Sequence, residues 1–156
     1  MKSLTLFRHA KTERDSATDR DFDRRLMDRG RDDAKRIGAE IRELDLKFDL
    51  ILSSPAARAA ETAELAGLTP RLDQRIYDAS TGDLLAIVQE GHAGIERLAM
   101  VGHNPGFERL ASRLLGQHVE MPTGSLVEIE LPVDHWSDVG SGGGRLARFL
   151  KPKELA

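Results

Sequence analysis

The chain has 156 residues and a net charge of −3, with both signs abundant. That length favours a single domain over residues 1–156, large enough to bury a core without staples. The lack of cysteine excludes disulfides and thiolate-held zinc, and the lack of a basic excess argues against a general nucleic-acid binder.

The opening run from Met1 to Phe7 meets charge at Arg8 and is too short for a signal peptide or a membrane helix. A soluble cytoplasmic protein with no membrane partner is therefore expected. Ser3 to Phe7 is apolar and β-prone and reads as a first strand. Arg8 to Arg25 is polar, charged and without a period, which marks a long functional or mobile loop. A helical face follows from Asp28 to Leu44, carried by Ala34, Ile37, Ile41 and Leu44. Leu50-Ile51-Leu52 reads as a second strand. Ser54 and Pro55 then suit the cap and first position of an alanine-rich helix running to about Ala66. Arg71 to Ala79 is a short extended stretch or loop. Ser80 or Thr81 caps a helix with Leu84, Leu85, Ile87 and Val88. Leu98 to Val101 is a third buried strand, and Asn104-Pro105 opens a helix carrying Phe107, Leu110, Leu114 and Leu115. Val127, Ile129, Leu131 and then Leu146, Arg148, Leu150 alternate as a strand pair. The glycine-rich connection from Gly140 to Gly144 is the segment expected to be disordered. Strand alternates with helix over the first two-thirds, which predicts a three-layer α/β/α sandwich with a largely parallel central sheet.

Open α/β sheets bind ligands beyond the carboxyl ends of their strands. Three predicted strands end in unusual polar chemistry: Arg8-His9, Ser53-Ser54-Pro55 with Arg58 close behind, and Gly102-His103-Asn104-Pro105. If the strands are parallel neighbours, two arginines, two histidines and two helix N-termini share one edge, an arrangement suited to a phosphoryl dianion. Taken singly each has an ordinary reading: a surface Arg-His pair, a solvated helix arginine, a helix-entry histidine. Their common position after strands is what carries weight.

Leu6-Phe7-Arg8-His9-Ala10-Lys11, Ser53 to Thr62 and Val101 to Pro105 resemble the three signature blocks of the histidine phosphatases. Arg24 to Gly30 resembles the Arg-Pro-Leu-Thr-x-x-Gly segment of the same superfamily. The likeness spans roughly residues 4 to 115. The short chain and the lysine of Arg-His-Ala-Lys favour the compact SixA-like phosphohistidine phosphatases within the phosphoglycerate mutase-like fold. The resemblance implies that His9 is a nucleophile forming a phosphohistidine, with Arg8 and Arg58 holding the phosphoryl oxygens and His103 donating as an imidazolium. Thr12 and Gln74 become candidate substrate-binding residues.

No metal or other cofactor is expected. No histidine pair has i, i+4 spacing, and a cationic pocket repels a metal. The sequence departs from the family in two places. Ala10 replaces a glycine, and Gln74 stands where many relatives have the glutamate that protonates the leaving group. Asp73 or Asp78 are the possible replacements. Imidazole, with a pKa of about 6.5, leaves far more easily than an alkoxide, so a phosphoramidate tolerates the missing acid best. The expected partner is thus a phosphohistidine-bearing protein; the alternatives are a small phosphorylated molecule or phosphate binding without turnover. Whether the Glu13 to Arg25 loop is a lid or a docking surface is left open.

Overall fold

The computed structural model describes residues 1–155. A six-stranded sheet forms its centre, built from β1 (Lys2–Arg8), β2 (Leu50–Ser53), β3 (Arg71–Leu72), β4 (Arg97–Gly102), β5 (Leu126–Leu131) and β6 (Arg145–Leu150) in the order β3-β2-β4-β1-β5-β6. The first four in that order run parallel, while β5 is antiparallel to both of its neighbours. The sheet is mostly parallel, as expected.

Side chains alternate across the strands and so feed two cores. Leu4, Leu6, Leu98, Met100, Val127 and Ile129 face α3 (Thr81–Val88) and α4 (Gly106–Leu115). Phe7, Val101 and Leu126 face α1 (Asp28–Glu43) and α2 (Ala57–Leu65). In α1 the buried positions Gly30, Ala34, Ile37, Gly38 and Ile41 recur with helical spacing. Gly38 is required by packing: a Cβ there would stand 2.6 Å from the Ala66 carbonyl oxygen at the end of α2. Among the described residues, no helix is long and apolar enough to cross a membrane.

Three local expectations change. Ser54 and Pro55 do not start α2, which begins at Ala57 with Ala56 flanking it and no side-chain cap. Asn104 and Pro105 likewise precede α4, although Asn104 Oδ1 still accepts from the Glu108 amide at 3.1 Å. The Gly140 to Gly144 connection is held rather than loose. Gly142 and Gly144 donate to the carbonyls of Arg113 and Leu114 at 2.8 and 3.0 Å, and Arg113 Nε donates to Ser141 Oγ at 2.9 Å. Those carbonyls are the unsatisfied acceptors at the end of α4, and the glycine segment supplies their donors. By contrast, Ser80 forms the expected cap on α3, as a reciprocal capping box with Asp83.

Candidate active site at the carboxyl edge of the sheet

Strand register assembles the site. Arg8 lies opposite Gly102 and Ser53 opposite Val101, so β1, β4 and β2 end side by side. The next residues, His9, His103 and Ser54, emerge together at that edge. The two histidine rings stand 5.3 Å apart between centroids.

His9 is fastened through its backbone and its ring. Its amide donates to the Gly102 carbonyl at 3.0 Å, and its carbonyl accepts from the Gly124 amide at 2.8 Å. The Ala10 amide donates to Thr62 Oγ1 at 3.0 Å. His9 Nδ1 lies 2.7 Å from the Ala10 carbonyl oxygen. A carbonyl can only accept, so Nδ1 carries the proton and Nε2 keeps its lone pair. Burial, followed by the charges of Arg58, Arg8 and Arg24, pushes the His9 pKa down to about 4.

His103 is held by a 2.8 Å contact between Nε2 and Ser54 Oγ. Burial, then Arg58 and His9, pushes its pKa down to about 3. This favours the neutral ring, where the sequence reading expected an imidazolium. Ser54 thus serves His103, and also accepts from the Ala56 amide at 3.2 Å, in place of capping α2.

Arg8 donates through Nη1 to the Met121 carbonyl at 2.7 Å. Arg58 is buried and turns both terminal nitrogens onto Asp21, with Nη1 on its backbone oxygen at 2.8 Å and Nη2 on Oδ2 at 2.9 Å. Tyr77 OH donates to the same Oδ2 at 2.8 Å, and Arg24 Nε lies 3.2 Å from Oδ1. These cationic and hydroxyl partners outweigh burial and hold the Asp21 carboxyl below its usual range.

The Glu13–Arg25 loop is tied at its feet. Thr12 bridges Leu26 across the base, and the Glu13 amide donates to the Arg25 carbonyl at 2.9 Å. Glu61 on α2 accepts from the Leu26 amide at 3.1 Å and from Arg31 Nε at 3.0 Å. Midway along the loop, Asp21 begins a 3-10 turn (Asp21–Asp23), and Phe22 meets the edge of Tyr77.

Three buried nitrogens here, Arg8 Nε, Arg58 Nε and His103 Nδ1, have no hydrogen-bond partner among the described residues, while Arg24 Nε is taken up by its ion pair with Asp21. Buried polar atoms of this kind are costly unless something satisfies them. A small cavity of about 80 Å³ opens between Arg58, Tyr77, Asp78, His103 and Asn104. Neither His9 nor Arg8 lines it; the His9 ring stands beside its His103 wall.

Arg8, His9, Arg58 and His103 are thus brought together as the sequence predicts; Thr12 and Gln74 are not. Thr12 sits in the loop's base bridge. Gln74 is exposed on a 3-10 turn (Gln74–Ile76), outside the cavity, and makes no side-chain hydrogen bond. Asp73 caps that turn and is gripped by Arg75, which lowers its pKa. Asp78 is exposed and does line the cavity. The sequence reading missed Asp21, Tyr77, Ser54 and Arg24. Tyr77 is the chain's one tyrosine, and Arg24 lies inside the quoted Arg24–Gly30 segment, so both carried a signal. Among the described residues, no group of three or more His, Asp or Glu is placed to hold a metal ion.

Residues 4–96 match the family model of the histidine phosphatase superfamily, branch 1. The chain belongs to that superfamily. It is 26% identical to an uncharacterized chloroplastic protein of Arabidopsis thaliana over 97% of this chain and 78% of that one. A solved structure from Agrobacterium tumefaciens, of a protein assigned as phosphohistidine phosphatase SixA, superposes with a TM-score of 0.83. The two are 26% identical over 97% of this chain and 98% of that one. The protein histidine phosphatase SixA solved with tungstate shares the fold with a TM-score of 0.83, at 20% identity over 97% of this chain and 98% of that one. The family match and the Agrobacterium structure make this chain a SixA-like histidine phosphatase, a hydrolase of phosphorylated compounds.

Proposed function

We propose that this histidine phosphatase hydrolyses phosphohistidine on a protein, without a metal, through a phosphoryl group carried on His9. The observation that carries the reading is the set of unpartnered buried nitrogens on Arg8, Arg58 and His103, with Arg24 close by, around a neutral His9. Together they supply positive charge and hydrogen-bond donors for a phosphoryl dianion.

In the first step, His9 Nε2 attacks phosphorus, a P–N bond to His9 forms and the P–N bond to the substrate imidazole breaks. In the second, water attacks phosphorus and the bond to His9 breaks. Both leaving groups are imidazoles, so neither step depends on a strong acid. This suits a site where Gln74 is remote and Asp73 is committed to Arg75. Arg8 and Arg58 hold the transferring oxygens. His103 is neutral at rest; an arriving dianion raises its pKa, so it gains its proton with the substrate in place.

One observation favours a second reading, a phosphomonoesterase for a small metabolite: Asp78 lines the cavity, where a leaving-group acid is needed. The test is turnover of a phosphohistidine-bearing protein against a panel of phosphate monoesters, with chelator present, for wild type and His9→Ala. Fast phosphohistidine turnover, lost in His9→Ala, with an acid-labile phosphate trapped on His9, is expected. Faster monoester turnover moves the assignment to the metabolite enzyme. An enzyme silenced by chelator overturns the metal-free mechanism, and no turnover of any substrate leaves phosphate binding alone.

A further inference from the structure

A second charged cavity, of about 170 Å³, has Lys11 in its lining. Lys11, Arg29, Arg36, Lys151 and Lys153 line it against a single carboxylate, Asp33. Five cations less one anion give the lining a formal charge of +4, in a chain whose net charge is −3. Arg36 reaches Asp33 at 3.6 Å, and Lys151 reaches Glu154 at 3.8 Å. Lys11, Arg29 and Lys153 are exposed and take part in no ion pair among the described residues.

The topology puts this groove on the active-site edge. Arg29, Asp33 and Arg36 recur at i, i+4 and i+7 in the first half of α1, which follows the His9 loop. Lys151 and Lys153 follow the end of β6, which runs parallel to β1 and finishes at the same edge. Lys11 is two residues beyond His9. Pro122 and Thr123, also in the lining, directly follow the Met121 carbonyl that holds Arg8.

We propose that this groove is a docking site for an acidic segment of the phosphorylated protein, an Asp/Glu-rich stretch flanking the phosphohistidine. The identity of that partner rests on the proposed function; the charge preference of the groove does not. Three features choose this occupant. The cations are mostly exposed and flexible, which suits several carboxylates on a protein surface better than one buried ion. No aromatic side chain lines the groove to stack a nucleobase. Exposed charge of one sign also speeds encounter with an oppositely charged partner and is weakened by salt.

The test compares wild type with Arg29→Glu/Lys153→Glu and with a control, Lys47→Glu/Arg97→Glu, which makes the same charge change at the opposite edge. A labelled poly-glutamate peptide is titrated by fluorescence anisotropy. In parallel, kcat/KM is measured for a phosphohistidine-bearing protein and for free phosphohistidine. Reversing two exposed cations should weaken the peptide about tenfold. The same variant should lose about tenfold in kcat/KM on the protein, through KM, and keep its turnover of free phosphohistidine, which also shows that it is folded. The control should stay within about twofold of wild type. Equal peptide affinity for the groove variant and wild type overturns the docking site, whatever the substrate. A peptide that needs the groove, beside a wild type that never cleaves phosphohistidine, keeps the acidic docking site and removes the phosphohistidine reading.

Discussion

A neutral histidine pair buried among arginines should make the fold acid-sensitive, by an amount the His9 shift fixes. Its pKa is pushed down to about 4, against an unfolded value near 6.5. Between those values the unfolded chain binds a proton that the folded chain refuses. Stability therefore falls as pH drops through this window and levels off below the folded value. Going from pH 7 to pH 5, the His9 contribution is about 2 kcal/mol. His103, with a pKa pushed down to about 3, acts in the same direction. Its partial exposure screens it, so its share is no larger than that of His9. At 5.3 Å the rings also oppose each other's protonation, so the two titrate as a pair. For a domain of this size the His9 share corresponds to a drop in Tm of about 4–8 °C. The assay is urea or thermal unfolding across this pH range for wild type, His9→Gln and His103→Gln. Comparing slopes with pH removes any constant cost of the substitutions. His9→Gln should lose about 2 kcal/mol less than wild type between pH 7 and pH 5, and His103→Gln should also lose less than wild type, by no more than that. If all three lose stability in parallel, the pair is not the source of the acid sensitivity and the neutral state of His9 loses its support.

Three further outcomes follow from the geometry. Arg58→Lys keeps a positive charge but cannot reproduce the guanidinium fork, and kcat should fall by about 10²–10³ with the fold intact by circular dichroism. Asp21→Asn removes the carboxylate that Arg58 and Tyr77 now share. The pocket becomes more cationic, and inorganic phosphate should inhibit several-fold more tightly, read as Ki; an unchanged Ki would show that Asp21 does not compete with the anion. Met27 flanks the start of α1 with no side-chain cap. Met27→Thr restores the hydroxyl found in the family segment and should raise stability by about 0.5–1 kcal/mol in urea unfolding, at constant activity.

The residues gathered at the candidate site were legible where local sequence decides their position. Arg8, His9 and His103 sit at strand ends, and a strand end is visible as an apolar run meeting polar residues. Register then did what the sequence could only suppose, placing β4 between β1 and β2 so that three ends meet. Ser54 was misread because a serine before a proline carries the same signal whether it caps a helix or holds a histidine. Asp21 was invisible for a different reason: its partners Arg58 and Tyr77 lie 37 and 56 positions away, and no period links a loop to them. Gln74 followed from alignment with the family acid, yet the chain turns it outward. The Gly140–Gly144 segment looked loose by composition. The acceptors that hold it belong to the end of another helix, a match only the tertiary structure reveals.

The fastening of His9 has a consequence for how the enzyme dies and how it moves. Its backbone is pinned to the ends of β4 and the approach to β5, and its neighbour Ala10 to α2, all deep in the cooperative core. At Gly30, α1 crowds the Lys11 carbonyl so closely that a Cβ would overlap it. His9 therefore has no local opening of its own, and the amides of this segment should exchange with solvent only as the whole domain unfolds. Motion is left to the loop latched through Asp21. Heat inactivation should then coincide with global melting rather than precede it, while loop substitutions change turnover and leave the melting temperature nearly where it was.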